Sequence, residues 1–126
     1  MAIRVIKTDA APIGAVYSQG FAAGGFVFTA GQVGINPNTG EVPESVAAQT
    51  NQVLENINAI LTAAGASMNA VLKTTVFLAD MAYYEEMNDA YIKYFENNPP
   101  ARSTIQAKLA KNVFKVEIEA VAYVGK

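Results

Sequence analysis

Arg102 follows the chain breaker Asn97-Asn98-Pro99-Pro100-Ala101, and further on the run Val116-Glu117-Ile118-Glu119 sets two carboxylates into what otherwise reads as a buried strand. A guanidinium holds a carboxylate or phosphate through two parallel charge-assisted hydrogen bonds, and a positioned carboxyl moves protons to and from reacting groups. Charged side chains are almost never fully buried without a partner, so both segments carry groups that a core would reject. Two roles are open to each: Arg102 as an anion clamp or a structural ion-pair partner, Glu117 and Glu119 as proton-transfer groups or as a wet strand face.

Other chemistry is excluded by what the chain lacks. It has no Cys and no His, which removes thiol nucleophiles, disulfides, the usual zinc ligand sets and every His-based triad. Net charge is -2 and the sequence pI is about 5.0, with no Lys/Arg cluster, so nucleic-acid binding is not expected. The 126 residues, 52% hydrophobic and 16% charged, describe one folded domain. So little charge on so small a domain implies apolar surface covered by another subunit. Met1 to Thr8 lacks a long apolar stretch and no run is long enough to span a bilayer, so the expected compartment is the cytoplasm.

The elements that must position these groups follow from periodicity. Ile3 to Lys7 reads as a first strand, and Val16–Phe21, Gly24-Gly25 and Phe26–Val33 as a hairpin closed by the loop Asn36-Pro37-Asn38-Thr39-Gly40. From Glu44 to Ala64 the apolar residues keep a helical period, with Gly65 at the C-terminal cap. Val71–Ala79 is rich in β-branched residues, and Asp80 then caps a second helix, Met81 to Glu96, with Tyr84, Met87, Tyr91 and Phe95 as its stripe. Asn88 lies on that stripe, either tying the helix to a loop or meeting a ligand. Arg102–Leu109 and Lys115–Val124 are the last two strands.

Two helices cover one face of about six strands. Parity assigns Ser103, Ile105, Ala107 and Leu109, with Val116, Ile118, Ala120, Ala122 and Val124, to the face beneath the helices. It puts Arg102, Thr104, Gln106 and Lys108 on the other face with Glu117, Glu119, Val121, Tyr123 and Phe77 or Val76. That second face is too apolar to be merely solvated and is expected to pack on another subunit.

The ordered set Tyr17-Ser18-Gln19, Thr29-Ala30-Gly31-Gln32, Thr39-Gly40-Glu41, Lys73-Thr74-Thr75-Val76-Phe77-Leu78, Asn88 with Tyr91, Pro100-Ala101-Arg102-Ser103 and Val116-Glu117-Ile118-Glu119-Ala120 resembles the RidA/YjgF family of reactive intermediate deaminases over nearly the whole chain. The resemblance implies a single domain over 1–126 with a chorismate-mutase-like α+β fold, a homotrimer with the sheets facing inward, and sites in the clefts between subunits. It implies hydrolysis of 2-iminobutanoate and 2-iminopropanoate to 2-oxo acids and ammonia, with no metal or organic cofactor. Arg102 is then the carboxylate clamp, Glu117 the acid/base group and Tyr17 an aromatic closing over substrate. Asn88 becomes a cleft-lining amide, and Gly31 and Thr104 positions whose backbone approaches the ligand.

The chain departs from the family pattern in places. Gly14-Ala15-Val16-Tyr17-Ser18 has one residue more than the usual Gly-Pro-Tyr-Ser and no proline; Ala30 stands for a common Ser, Thr104 for a frequent Cys, and Ala110 for the Pro of a Leu-Pro-Lys-Asp turn. Rival readings are an endoribonuclease or translation inhibitor, which some family members have been described as, and a non-catalytic ligand binder or holdase.

Overall fold

A computed structural model describes residues 3–125. Its strands are β1 Arg4–Ile6, β2 Gly20–Ala23, β3 Phe26–Thr29, β4 Gln32–Val33, β5 Val71–Leu78, β6 Ala101–Gln106 and β7 Val116–Tyr123. They form one sheet in the order β1-β2-β3-β7-β5-β6, with β4 also paired to β7. All neighbours are antiparallel except β5 and β6, which run parallel and so need the helical crossover between them. The mixed α+β sheet with two helices is the expected class; a seventh strand appears because Phe26–Val33 is broken in two.

The break is a β-bulge. Phe26, Phe28 and Val27 pair with Tyr123, Val121 and Ala122, whereas Gln32 and Val33 pair with Ile118 and Glu117, one residue out of the first register. Ala30 and Gly31 absorb the extra residue, and the Thr29 hydroxyl accepts the Ala120 N–H at 3.0 Å in place of a ladder carbonyl. The first hairpin is shorter than expected, since residues 14–19 form an irregular loop ahead of β2.

Helix α1, Val46–Ala63, starts at Ser45, whose side chain accepts the Ala48 N–H, and ends with Gly65 at φ +83. Gly65 donates to Thr62 and Ala66 to Leu61, the paired bonds that close a helix through a left-handed residue. Its apolar stripe, Val53, Leu54, Ile57, Ile60 and Leu61, is buried with Val76, Leu78, Val116 and Ile118 of the sheet. Two amides buried on the same helix hold loops: Gln49 bonds Pro43, Val113 and Lys115, and Asn56 bonds Val33 and Ile35. The second helix is tighter than a continuous Met81–Glu96 span. Asp80 caps a 3₁₀ turn Met81–Tyr83, helix α2 runs Tyr84–Tyr91, and a second 3₁₀ turn Ile92–Tyr94 leads toward the Pro99-Pro100 segment.

The face assignment of β7 holds for Val116, Ile118, Ala120 and Ala122, buried under the helices, whereas Val124 lies past the end of the strand and is exposed. That of β6 is reversed. Thr74 pairs in parallel with Arg102 and Val76 with Thr104, and both partners on β5 are buried on the helix side. Arg102 and Thr104 therefore lie beneath α2, while Ile105 points away and stays 48% exposed. The reason is position: β6 is an edge strand, so its outward face is not closed within the chain and an apolar residue there reports nothing about the core.

Candidate active site

Arg102 opens β6 and reaches up to α2. Its guanidinium donates to Tyr84 Oη at 3.2 Å and approaches Met87 Sδ at 3.8 Å, over the rings of Tyr84 and Tyr91 at 5.5 and 4.9 Å. Aromatic faces attract a guanidinium and tolerate its partial desolvation without neutralising it. Tyr91 is fixed in turn by a 2.6 Å hydrogen bond with Thr74. Burial pushes the Tyr91 hydroxyl above its ordinary pKa, against the opposing influence of Thr74 and Arg102. Among the described residues no carboxylate contacts Arg102, so its fork is held in place by aromatic and polar partners without an ion pair. It lines a cleft of about 330 Å³ with Asn88, Asp89, Tyr91, Ile92, Pro99 and Pro100.

Asn88 and Thr104 flank this seat. Asn88 Oδ1 and Thr104 Oγ1 are buried with no hydrogen-bond partner among the described residues. The tether reading of Asn88 therefore has no bond behind that oxygen, and a residue that lines the Arg102 cleft keeps an acceptor unused.

Glu117 occupies the other face of the sheet, opposite Phe77 on β5 and Val33 on β4. The bulge brings Gly31 against it so closely that a Cβ on Gly31 would collide with Glu117 Oε2. Partial burial, and then the charge of nearby Glu119, raise the Glu117 carboxyl above its ordinary pKa. Glu119 is exposed on the same face, which also carries Phe26, Phe28, Tyr123 and Ile105, each 39% exposed or more.

Arg102 and Glu117 thus do not meet within one chain. Glu117 is in register with Ile105 across β5, three residues along from Arg102, so two strand spacings of about 5 Å and roughly 10 Å along the strand separate them, on opposite faces. Tyr17 belongs to neither seat: 51% exposed, it lies back over Gly14, where any Cβ would strike its ring.

The Endoribonuclease L-PSP family model matches residues 8–124. The chain belongs to the RidA/YjgF family. Among its relatives, a RutC family protein of Pyrococcus horikoshii is 50% identical over 123 residues, covering 94% of this chain and 96% of the relative. The Escherichia coli 2-iminobutanoate/2-iminopropanoate deaminase is 44% identical over 124 residues, covering 94% and 96%. Among solved structures, E. coli TdcF with bound serine superposes with a TM-score of 0.90 at 38% identity over 95% of this chain and 98% of that one. The E. coli YjgF gene product does so at 0.88 and 39%, over 95% and 98%.

As a RidA/YjgF chain, this protein offers three separated parts: a free guanidinium in a cleft, a carboxyl with a raised pKa beside a glycine, and an exposed tyrosine on a loop. The aromatic seat of Arg102 escaped the sequence reading, because Tyr84 and Tyr91 fit the helical core period so well. The signal was in the pairing: a strand joined to its predecessor by one helix runs parallel to it, and matching Thr74 to Arg102 would have put Arg102 under that helix. Among the described residues no helix is long and apolar enough to cross a membrane.

Proposed function

We propose that this protein hydrolyses 2-imino acids such as 2-iminobutanoate and 2-iminopropanoate, at sites completed between subunits of a homotrimer. The observation that carries the reading is Arg102, a guanidinium held by two tyrosines in an open cleft and in salt-bridge contact with no carboxylate among the described residues. A 2-imino acid brings that carboxylate. The deaminase relatives at 44% identity and the serine held by TdcF, also an α-carboxylate, support the same reading.

The chemistry asked of the protein is modest. Water adds to the imine carbon as one of its protons moves to the nitrogen, and the carbon–nitrogen bond then breaks as the remaining hydroxyl proton moves to the same nitrogen, giving a 2-oxo acid and ammonia. Glu117 is the group suited to relay that proton, because a carboxyl with a raised pKa exchanges protons nearer to neutral pH. Its separation from Arg102 means that the Arg102 cleft of one chain works with Glu117, Gly31 and Tyr17 of a neighbour. The open apolar face supports the association, since a patch bearing Phe21, Phe26, Phe28 and Tyr123 is unusual on a lone soluble chain.

The test generates 2-iminobutanoate in situ with a threonine dehydratase and traps surviving imine with semicarbazide. Wild type diverts imine to 2-oxobutanoate, Arg102→Ala and Glu117→Gln do not, and a wild type that leaves trapping unchanged overturns the assignment. The family description also names an endoribonuclease. This acidic chain lacks a basic stripe for a phosphate backbone; RNA cleavage that survives purification and vanishes in Arg102→Ala would favour that rival.

A further inference from the structure

Gln19 has the densest side-chain bonding in the described structure and no part in the chemistry above. The residue is 5% exposed. Oε1 accepts the Thr8 N–H at 2.8 Å, and Nε2 shares its two hydrogens among the carbonyls of Thr8, Ala11 and Pro12 at 2.9 to 3.0 Å. These bonds fix the orientation of the amide, since three acceptors face the nitrogen and one donor faces the oxygen. They also close residues 8–19 into a loop that has little else to hold it. Only Ala11 of residues 9–18 is buried, Ile13 and Val16 are 71% and 93% exposed, and the loop carries Tyr17 near its end. The backbone carbonyl of the same residue accepts from Ala30 at 2.8 Å, one position before Gly31 in the bulge that faces Glu117.

We propose that Gln19 is a positioning residue, which sets Tyr17 through its side chain and ties that loop to the Gly31 bulge through its backbone. The inference rests on the role proposed for Tyr17. With no proline in Gly14-Ala15-Val16-Tyr17 to stiffen the approach, this loop has one more residue to control and the amide has more of the work.

Two measurements on the intact protein decide it. The chain contains no tryptophan, so Tyr17→Trp supplies a single reporter whose acrylamide quenching and anisotropy follow the loop. Adding Gln19→Leu should at least double the quenching constant and lower the anisotropy; an unchanged reporter overturns the proposal. In imine hydrolysis, Gln19→Leu and Tyr17→Ala should each lower kcat/KM by roughly tenfold, and the double variant should fall no further than Tyr17→Ala alone. Losses that multiply show that Gln19 acts independently of Tyr17 and overturn it too. Gln19→Glu, which keeps the shape and loses the donors, replaces Gln19→Leu in both measurements if the latter does not fold. A wild type without imine hydrolysis defeats the functional reading only, and the tryptophan reporter then decides the positioning claim by itself.

Discussion

At the scale of single residues, Glu117 is a carboxyl that the fold makes harder to ionise. Because its pKa is raised on folding, by burial and then by Glu119, the folded chain holds the proton more tightly than the unfolded one. Its contribution to stability is present at low pH and is lost as pH rises above the ordinary carboxyl value of about 4.3. Glu117→Gln should therefore melt at a higher temperature than wild type at pH 7 and at nearly the same temperature at pH 4. Equal melting at both would mean a well-hydrated carboxyl. The same group should give the wild-type kcat/KM an inflection above the ordinary carboxyl range, and a profile flat through that range would remove Glu117 as the proton-transfer group. Gly31→Ala tests the neighbour, since its methyl would displace the carboxylate. Turnover should fall by about 10²- to 10⁴-fold, the usual worth of acid-base assistance, with the folded circular dichroism spectrum retained, and full activity would dissociate Gly31 from the chemistry. The identities of both charged residues were legible in the sequence, because charges inside apolar runs need a reason. Their seats were not: cation–π support and a glycine under a carboxylate depend on which strands become neighbours.

At the scale of elements, the bond between Thr74 and Tyr91 joins β5 to α2 directly beneath Arg102. Thr74→Val leaves the Tyr91 hydroxyl buried without its partner, a loss of about 1–3 kcal/mol. Denaturant melts should register it, and KM should rise more than kcat falls if the guanidinium loses its platform; a change in stability with KM untouched would separate the two. Periodicity found α1 almost to its ends and the faces of β7, since a long stripe and a central strand buried on one side leave little freedom. It failed where context decides. The edge strand β6 carries polar residues in both parities, so the parallel pairing with β5 alone fixes which of them turn inward. The bulge at Ala30-Gly31 left no periodic mark, because a one-residue shift between two short apolar runs reads as one continuous strand.

At the scale of the whole molecule, the separation of Arg102 and Glu117 by a sheet predicts a shared site. Subunits carrying Arg102→Ala and subunits carrying Glu117→Gln, each inactive alone, should recover part of the imine hydrolysis when unfolded together and refolded as mixtures. No recovery would mean that both residues serve from one chain. Phe28→Glu, on the open apolar face, should shift the protein from the proposed trimer to monomer by light scattering and lose activity with it; a monomeric wild type would remove the basis of that expectation. Composition raised the expectation of a covered face and the family resemblance that of sites between subunits, whereas the mistaken parity of β6 had put Arg102 and Glu117 on one face of the sheet. A divided site carries a kinetic consequence. If the two halves of the proposed site must come from different chains, one chain does not catalyse alone: diluting the protein should extinguish turnover per chain, with the rate at low concentration following a power of concentration above one.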